Sequence, residues 1–400
     1  MPRPVFRQLS PGIVRGLLDC RAAGERTCLS LYLPTHPRVP DSAVDQPTYR
    51  RLVSSLRHGL ADGRRRDEIE RLLAPFDLLA GDREFWRHVR HGLAILAADG
   101  RADGFVLPAD VPPRAVVAPR FHVLPLLEMV SASWPFRLLL LTSREARLYA
   151  GTAVEGRVAD LAACPLPATA GPRADRGRIS RADIVAIREH EPHRSVRLHT
   201  GQAVLHGGFG SKQDEIDEDT VTFVQHVGRQ VAASSAGTIP LILAAAGHVA
   251  AILRQAAPPP GLLDRGIEKD LHLAPEAALA DACGPLIADI AADLAADLLA
   301  EFIDARGRGV AGGNLRDIGR AAVTGRIATL LVERDRSEPG DFDRATGELH
   351  IAPAGTAVEP PAADILAAIA ETVFLHGGAV RMAQRNALPT NSGLAAIYRW

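Results

Sequence analysis

The stretch FRLLLLTSREARLYAG, from Phe136 to Gly151, predicts the centre of the fold. Phe136–Thr142 is largely apolar, which is typical of a strand that is covered on both faces. Ser143-Arg144-Glu145 is short and polar enough to form a turn, and Ala146–Ala150 continues as the returning strand. The sequence therefore predicts a buried β-hairpin around which further strands and helices assemble.

Downstream of this hairpin, helical and strand patterns alternate. A helix is predicted at Glu215–Ala233, an apolar strand at Ile239–Ala245 and a second helix at His248–Gln255. The preceding segment Pro165–Arg194 is rich in Pro, Gly and Arg and has little periodicity, so we expect an exposed insertion there. The segment APPPG, at Ala257–Gly261, is expected to be a linker.

The regions on either side carry different patterns. Upstream, a strand pattern at Cys28–His36 precedes two helical patterns and three short strands separated by turn signals, which indicates an α+β module. Downstream, predicted helices end at Gly325 and at Gly377-Gly378, and a buried strand follows the first and a short strand the second. This repetition predicts an α/β/α sandwich. Gly284-Pro285 lies within the first long helical pattern and is a candidate break.

The composition restricts the class of protein. The chain has 400 residues, of which 47% are hydrophobic and 23% charged, and its net charge is −1. These values are typical of a soluble protein with two or three folded domains, and they exclude a uniformly basic surface. Four scattered cysteines without a CxxC pair disfavour a zinc ribbon or a disulfide framework. Without a signal peptide or a membrane span, we expect a cytoplasmic protein with no cofactor, no metal and no membrane contact.

Blocks spread over the whole chain resemble a known family in their order and spacing. They are LSLYLPTH (Leu29–His36), the stretch Phe85–Leu127, the hairpin Phe136–Gly151, AVTGRIATLLVE (Ala322–Glu333) and the closing segment Glu371–Trp400. Together they resemble the bacterial relatives of the archaeo-eukaryotic peptide-chain release factors and of Pelota. The resemblance implies an N-terminal α+β domain at residues 1–131, an RNase-H-like central domain at 132–258, and a C-terminal domain at 262–400 like the ribosomal proteins that bind kinked RNA.

The family's catalytic loop is altered in this sequence. The resemblance implies a central-domain Gly-Gly-Gln loop, which in true release factors enters the ribosomal peptidyl-transferase centre and helps water attack the peptidyl-tRNA ester. The glycines permit backbone conformations that are closed to other residues, so that the glutamine amide can approach the ester. Here Gly207-Gly208 precedes Phe209, and the nearest glutamine is Gln213. Either Gln213 substitutes from a reshaped loop or hydrolytic activity is absent, and we favour its absence.

The approach to this loop is positively charged. Residues 173–213 contain seven arginines and Lys212 against four acids, a local charge of +4 in a chain of net charge −1. Such charge suits contact with phosphates, and Phe209 could stack on a base. The residues predicted to contact RNA are Arg194, Arg197, His206, Gly207, Gly208, Phe209, Gly210 and Lys212.

Ordinary loop and helix-cap formation, without any RNA contact, explains part of the sequence around Gly207–Asp214. The glycines mark a loop between a strand and a helix, and Ser211 with Asp214 resembles a capping box. The acids that follow lie where the dipole of a helix favours negative charge. Capping does not account for Lys212 or for the upstream arginines. Likewise GVAGGNL, at Gly309–Leu315, resembles a phosphate loop but fits a loop before an Asn-capped helix at least as well.

Three functions remain open on the sequence. The first is a translation-associated protein that contacts the ribosome or tRNA through the central loop, in rescue, recycling or modulation. The second is a protein-interaction or stress-response scaffold without ribosome contact, suggested by the missing glutamine and the near-neutral charge. The third is a peptidyl-tRNA ester hydrolase in which Gln213 positions water.

Overall fold

The computed structural model describes residues 3–19, 27–36, 41–61, 64–89, 91–98, 101–154, 156–164, 178–180, 212–234, 239–269, 271–334, 336–352 and 364–400. The chain divides into two compact units: Trp134–Ile290 is one, and Met1–Ser133 together with Ala291–Trp400 is the other. Helices and mixed sheets occur in both, which confirms a mixed α and β multidomain class. The three domain limits stay a prediction.

The N-terminal region forms a five-stranded sheet with helices packed against it. The order β1-β4-β3-β2-β5 is antiparallel except for the parallel pair β1/β4. The strands are β1 (Val5–Phe6), β2 (Cys28–Thr35), β3 (His91–Ala98), β4 (Arg101–Leu107) and β5 (Arg114–Ala118). The helices are α1 (Pro11–Asp19), α2 (Asp45–Gly59, after a 3-10 turn), α3 (Arg66–Ala80), α4 (Arg83–His88) and α5 (Leu124–Ser131). Alternate leucines of β2 pack against Tyr49 of α2 and Phe76 of α3, so this face of the sheet forms the core.

A group of buried polar side chains lies beside β2. Tyr32 is fully buried, and its hydroxyl donates to the carbonyl of His122. The His122 backbone N–H donates to Ser30 Oγ (3.0 Å), and Arg114 Nη1 lies 3.1 Å from His122 Nε2. Burial, with the Arg114 charge adding to it, lowers the pKa of His122 to about 3. His122 is therefore neutral near pH 7 and accepts a hydrogen bond from Arg114.

The central unit is built on the predicted hairpin, which the structure confirms. It consists of β6 (Ser133–Leu141) and β7 (Glu145–Val154), and the Thr142 N–H closes the turn by donating to Glu145 O at 2.9 Å. β8 (Arg157–Cys164) and the short β9 (Arg178–Ser180) both pair antiparallel with β7. On the other side, β10 (Leu241–Ala245) pairs with β6 in parallel.

An extended segment continues this sheet beyond β10. Leu262 and Ile267 form parallel bridges with Leu241 and Ala244, and the Ile267 N–H donates to Leu243 O at 2.8 Å. The sheet therefore has the spatial order β8-β7-β6-β10 followed by the segment 262–267.

Helices cover both faces of the central sheet. α6 (Lys212–Ala233) and α7 (Gly247–Ala256) pack on the face that carries Leu139 and Leu141. The first half of α8 (Glu276–Gly307) packs on the face that carries Leu138 and Leu140. The apolar run predicted to be covered on both faces is thus buried on both, as its lack of alternation indicates.

The break predicted at Gly284-Pro285 is wrong. α8 continues through Pro285, although an interior proline removes a helix hydrogen bond and costs about 3 kcal/mol. Leu279, Cys283 and Ile287 recur four residues apart, and all three are fully buried against the sheet. Apolar packing on both sides of the proline therefore holds the helix together.

The C-terminal region has a four-stranded sheet of order β11-β16-β12-β15 and a separate hairpin. The strands are β11 (Ala311–Gly312), β12 (Ile327–Glu333), β13 (Gly340–Phe342), β14 (Leu349–Ile351), β15 (Ala379–Ala383) and β16 (Leu394–Tyr398), and the helices are α9 (Leu315–Val323) and α10 (Ile365–Leu375). Asn314 Oδ1 accepts from the N–H groups of Arg316 (2.9 Å) and Asp317 (3.3 Å), so the glycine-rich stretch before it leads into an Asn-capped helix. None of the helices in the ranges described here is long and apolar enough to cross a membrane.

The N-terminal and C-terminal regions are joined within their unit. Arg381 Nη1 of β15 donates to Ser131 O at 2.6 Å, and the Arg15 guanidinium lies 5.6 Å from the centroid of the Phe374 ring. Glu371 of α10 is buried, which raises its pKa, while its ion pair with Arg344 Nη2 (2.6 Å) acts in the opposite direction. The ion pair thereby offsets part of the cost of burying this carboxylate.

We expect His122 to make the folded state acid-sensitive. The unfolded chain takes up a proton at this residue near pH 6.5, whereas the folded chain excludes it until about pH 3. Stability therefore falls as the pH falls, and His122 should account for a loss of about 2 kcal/mol between pH 7 and pH 5. His122→Gln should lack this contribution while keeping the backbone hydrogen bonds. Urea unfolding of both proteins at the two pH values measures it, and parallel pH profiles would contradict it.

Candidate nucleic-acid interface

Most of the residues predicted to contact RNA lie outside the described residues. Arg194, Arg197, His206, Gly207, Gly208, Phe209 and Gly210 all belong to 181–211, which the structure does not describe. Lys212 and Gln213 lie in the first turn of α6, and their side chains are not described. The predicted helix start at Glu215 is therefore corrected to Lys212. With this start, Asp214, Glu215 and Asp217 lie in the first two turns, where the helix dipole stabilises acids.

Both ends of the undescribed segment 181–211 lie at one edge of the central sheet. This edge, called the carboxyl edge below, is where the parallel strands β6 and β10 end, at Leu141 and Ala245. β9 pairs with the start of β7, and its last residue, Ser180, lies opposite Glu145 at this edge. Pro165–Arg194 was expected to lack regular structure, but β9 forms within it because Ile179 is buried in the core.

The other end of the segment returns to the same edge because of how α6 is anchored. At the C-terminal end of α6, Ser234 O accepts from Arg137 Nη2 at 2.9 Å. Arg137 lies opposite Leu241, the first residue of β10, and so belongs to the far edge of the sheet. α6 must therefore begin at the carboxyl edge. The arginine-rich stretch predicted to contact RNA is thus held at both ends by this edge.

The start of α6 extends beyond the sheet. Gly228 of α6 lies against Ala257, which follows α7, and the two helices run in the same direction. α7 begins ten residues before this contact and α6 begins sixteen residues before it. The difference of six residues corresponds to about 9 Å of helix. α6 therefore begins beyond the first turn of α7.

The described part of the carboxyl edge carries three exposed basic side chains. Arg144 lies in the turn between β6 and β7, His248 in the first turn of α7, and Lys269 just beyond the segment 262–267. Glu145 and Glu268 lie beside them, so the described edge is nearly balanced in charge. Residues 173–213, with a net charge of +4, remain the predicted source of most of the positive charge.

Sequence reasoning did not single out these three basic residues. Each follows the last apolar residue of an extended segment, and ligands of open α/β sheets bind at this end of parallel strands. That position is the signal that could have identified them. The chain has only two lysines, Lys212 and Lys269, and the topology brings both to the same edge.

Residues 135–326 match the model of the Bacterial archaeo-eukaryotic release factor family 3. This segment is similar to that family. The matched segment covers the central sheet with its helices and continues through α9. It makes up just under half of the 400 residues. The match confirms the release-factor-like resemblance that the sequence blocks indicate within this segment.

Solved structures of translation factors are similar to this release-factor-like chain at low identity. The archaeal translation termination factor aRF1 is 17% identical, with 98% of this chain and 99% of that chain covered and a TM-score of 0.23. Dom34 of S. cerevisiae, a translation termination-like factor that interacts with Hbs1, is 12% identical with 75% and 74% covered and a TM-score of 0.31. Archaeal Pelota in a model of its ribosome-bound complex with ABCE1 is 11% identical with 98% and 95% covered and a TM-score of 0.34.

At these scores the three structures carry no weight for function. No curated protein matches the chain. The roles of Gly207, Gly208, Phe209 and Gln213 in this release-factor-like chain therefore stay predictions.

Gly228 tests how α6 is positioned. A Cβ at this residue would collide with the carbonyl oxygen of Ala257 and lie 2.9 Å from its Cβ, so Gly228→Ala should destabilise the protein by about 1–3 kcal/mol. Gly247→Ala, in the same unit, is the matched control because nothing lies within 4 Å of its Cβ position. We expect the control to be neutral or stabilising by up to about 1 kcal/mol. Urea unfolding measures both, and equal effects would contradict the close packing of α6 on α7.

Proposed function

We propose that this chain is a translation factor that contacts ribosomal RNA or tRNA through the carboxyl edge of its central sheet and the arginine-rich segment held there. The family match over residues 135–326 supports the link to translation. The single observation that carries the contact is the topology. Ser180 and Lys212, which flank the undescribed residues 181–211, both lie at the carboxyl edge, and residues 173–213 carry a net charge of +4.

The strand order supports an RNase-H-like fold for the central unit. Three successive strands, β6, β7 and β8, are joined by hairpins, and β10 then adds in parallel on the other side of β6. The segment 262–267 adds in parallel beyond β10, and helices cover both faces. In the C-terminal region, the packing of Phe302 of α8 against Leu331 and Ile397 likewise supports a layered α/β/α arrangement.

The chemistry of the contact is mainly electrostatic. Arginine and lysine side chains would neutralise phosphates of the RNA backbone, which positions the protein and makes binding depend on salt. Arg194, Arg197 and Lys212 supply this charge from the segment, while Arg144 and Lys269 supply it from the sheet edge. Phe209 would add stacking on an unpaired base.

The altered loop favours binding over ester hydrolysis. Phe209 follows Gly207-Gly208 and has no amide with which to position water. Gln213, the first glutamine after the glycine pair, has a helical backbone in the first turn of α6. A protein-interaction scaffold is the second candidate, because Arg144 and Lys269 are balanced by Glu145 and Glu268 on the described edge.

Sucrose-gradient sedimentation tests the ribosome contact. We expect tagged protein to co-migrate with ribosomal particles at low salt and to dissociate as salt rises, since each phosphate contact adds about 0.7–0.9 to the slope of log K against log salt. The triple variant Arg194→Ala/Arg197→Ala/Lys212→Ala should lose most of this association.

The matched control is Arg50→Ala/Arg51→Ala, which removes exposed charge from α2. Migration with free protein under every condition would rule out the ribosome contact. Protein partners that survive nuclease treatment would favour the scaffold.

A peptide-release assay tests the lack of hydrolysis. We expect the wild type to release no peptide from peptidyl-tRNA on ribosomes, because Phe209 and not a glutamine directly follows the glycine pair. Gln213→Ala should be indistinguishable from the wild type. If the wild type releases peptide and Gln213→Ala does not, the expected lack of hydrolysis is wrong and the chain is a hydrolase.

A further inference from the structure

Two helix–strand joints of the C-terminal region lie side by side. α9 reaches β12 through Gly325 (φ +67°), and α10 reaches β15 through Gly377 (φ +76°). β12 and β15 are neighbours in parallel, so both joints lie at the edge where these strands begin. The joints are in contact, because a Cβ at Gly325 would lie 3.7 Å from His376 Cβ. Positive φ makes glycine the favoured residue at both positions.

The end of β16 lies across these joints. The Arg399 N–H donates to Arg326 O (2.8 Å), and Arg399 Nη2 donates to Gly377 O (2.9 Å). The Arg326 guanidinium lies 5.9 Å from the centroid of the Tyr398 ring, and its Nη2 donates to Trp400 O at 3.0 Å. Arg326, His376, Arg399 and Trp400, called the joint surface below, are therefore linked to one another.

The joint surface is basic and partly aromatic. All four residues are exposed, and 68% of Trp400 is accessible to solvent. Within the described ranges, neither Arg326 nor Arg399 pairs with an Asp or Glu side chain, although Arg326 Nη2 contacts the main-chain oxygen of Trp400. His376 Nδ1 lies 2.9 Å from Thr372 O, so this nitrogen is already used within α10.

A structural role explains only part of this arrangement. Arg399 satisfies carbonyl groups at the end of α10, where the helix dipole favours a cation. Nη2 makes both contacts, with His376 O and Gly377 O, so at most two of the five N–H donors of the guanidinium are used. Helix capping requires neither an exposed indole nor the position of Arg326 over Tyr398.

We propose that the joint surface binds single-stranded RNA. Arg326 and Arg399 would contact phosphates, and Trp400 would stack on an unpaired base. The guanidinium of Arg326 over Tyr398 offers a second flat surface for a base. Single-stranded RNA exposes both base faces and phosphates, whereas a duplex hides the faces of its bases. The proposal uses no residue of 173–213 and so goes beyond the central interface.

Tryptophan fluorescence of the full chain tests the proposal. The probe is a single-stranded oligouridylate of about ten nucleotides, which is within the usual site size. We expect it to quench wild-type fluorescence, and we expect Trp400→Leu to abolish the quenching and weaken binding at least about fivefold. Arg326→Ala and Arg399→Ala should each weaken binding severalfold and lower the salt slope by about 0.7. The same strand annealed to oligoadenylate should cause no quenching.

Two controls make each outcome decisive. Arg51→Ala removes one exposed arginine from α2 and should leave binding and quenching unchanged. Arg326→Lys keeps the charge but loses the planar group, so it should retain the salt slope and bind less tightly. Any of three results would overturn the proposal. They are no quenching of the wild type, quenching that persists in Trp400→Leu, and equal RNA affinities of Arg326→Ala and Arg51→Ala.

The test also separates this surface from the central interface. In the background Arg194→Ala/Arg197→Ala/Lys212→Ala, quenching by oligouridylate should persist. Quenching without ribosome association would reject only the central contact, and ribosome association without quenching would reject only the joint surface.

Discussion

The central unit depends on the burial of β6 on both of its faces. Leu139 and Leu141 contact the α6/α7 layer, while Leu138 and Leu140 contact α8. Full burial of each leucine is worth about 1.5–3 kcal/mol, so the strand is stable only between two helical layers and two neighbouring strands. β7 and β10 are the two strands that flank β6. The parallel pairing of β10 with β6 sets the position of the candidate interface.

That pairing determines where the charged segment is held. Because β10 runs parallel to β6, the chain must cross the sheet in α6 before it enters β10. The crossing carries Ser234 to the far edge and leaves Lys212 at the carboxyl edge, where β9 also ends. A rigid apolar core thereby supports a segment whose composition suits contact with phosphate.

The two proposed RNA contacts differ in their physical basis. The central one relies on accumulated positive charge, and its sequence departs from the Gly-Gly-Gln pattern at Phe209. The joint surface instead relies on two arginines and an indole. They lie beside the turns at Gly325 and Gly377, where positive φ favours glycine. The first should be dominated by salt-dependent contacts and the second by stacking, so the two are separable in solution.

Local features of the structure could be predicted from the sequence because their causes are local. The Phe136–Gly151 hairpin, the helix stops at Gly325 and Gly377, and the cap at Asn314 each depend on side chains within a few residues. Predictions failed where contacts distant in sequence compete with local preference. Buried neighbours of Pro285 keep α8 continuous, and burial of Ile179 creates β9 in a segment without periodicity.

The sequence by itself determined the order of the elements, the resemblance to the release-factor family and the local excess of positive charge. Only the tertiary structure decided that Ser180, Lys212 and Lys269 lie at one edge, and that Gly325 and His376 meet beside Trp400. The physical reason is that periodicity and capping report on neighbours along the chain. Which strands lie side by side is decided instead by the burial of apolar faces that belong to residues far apart in sequence.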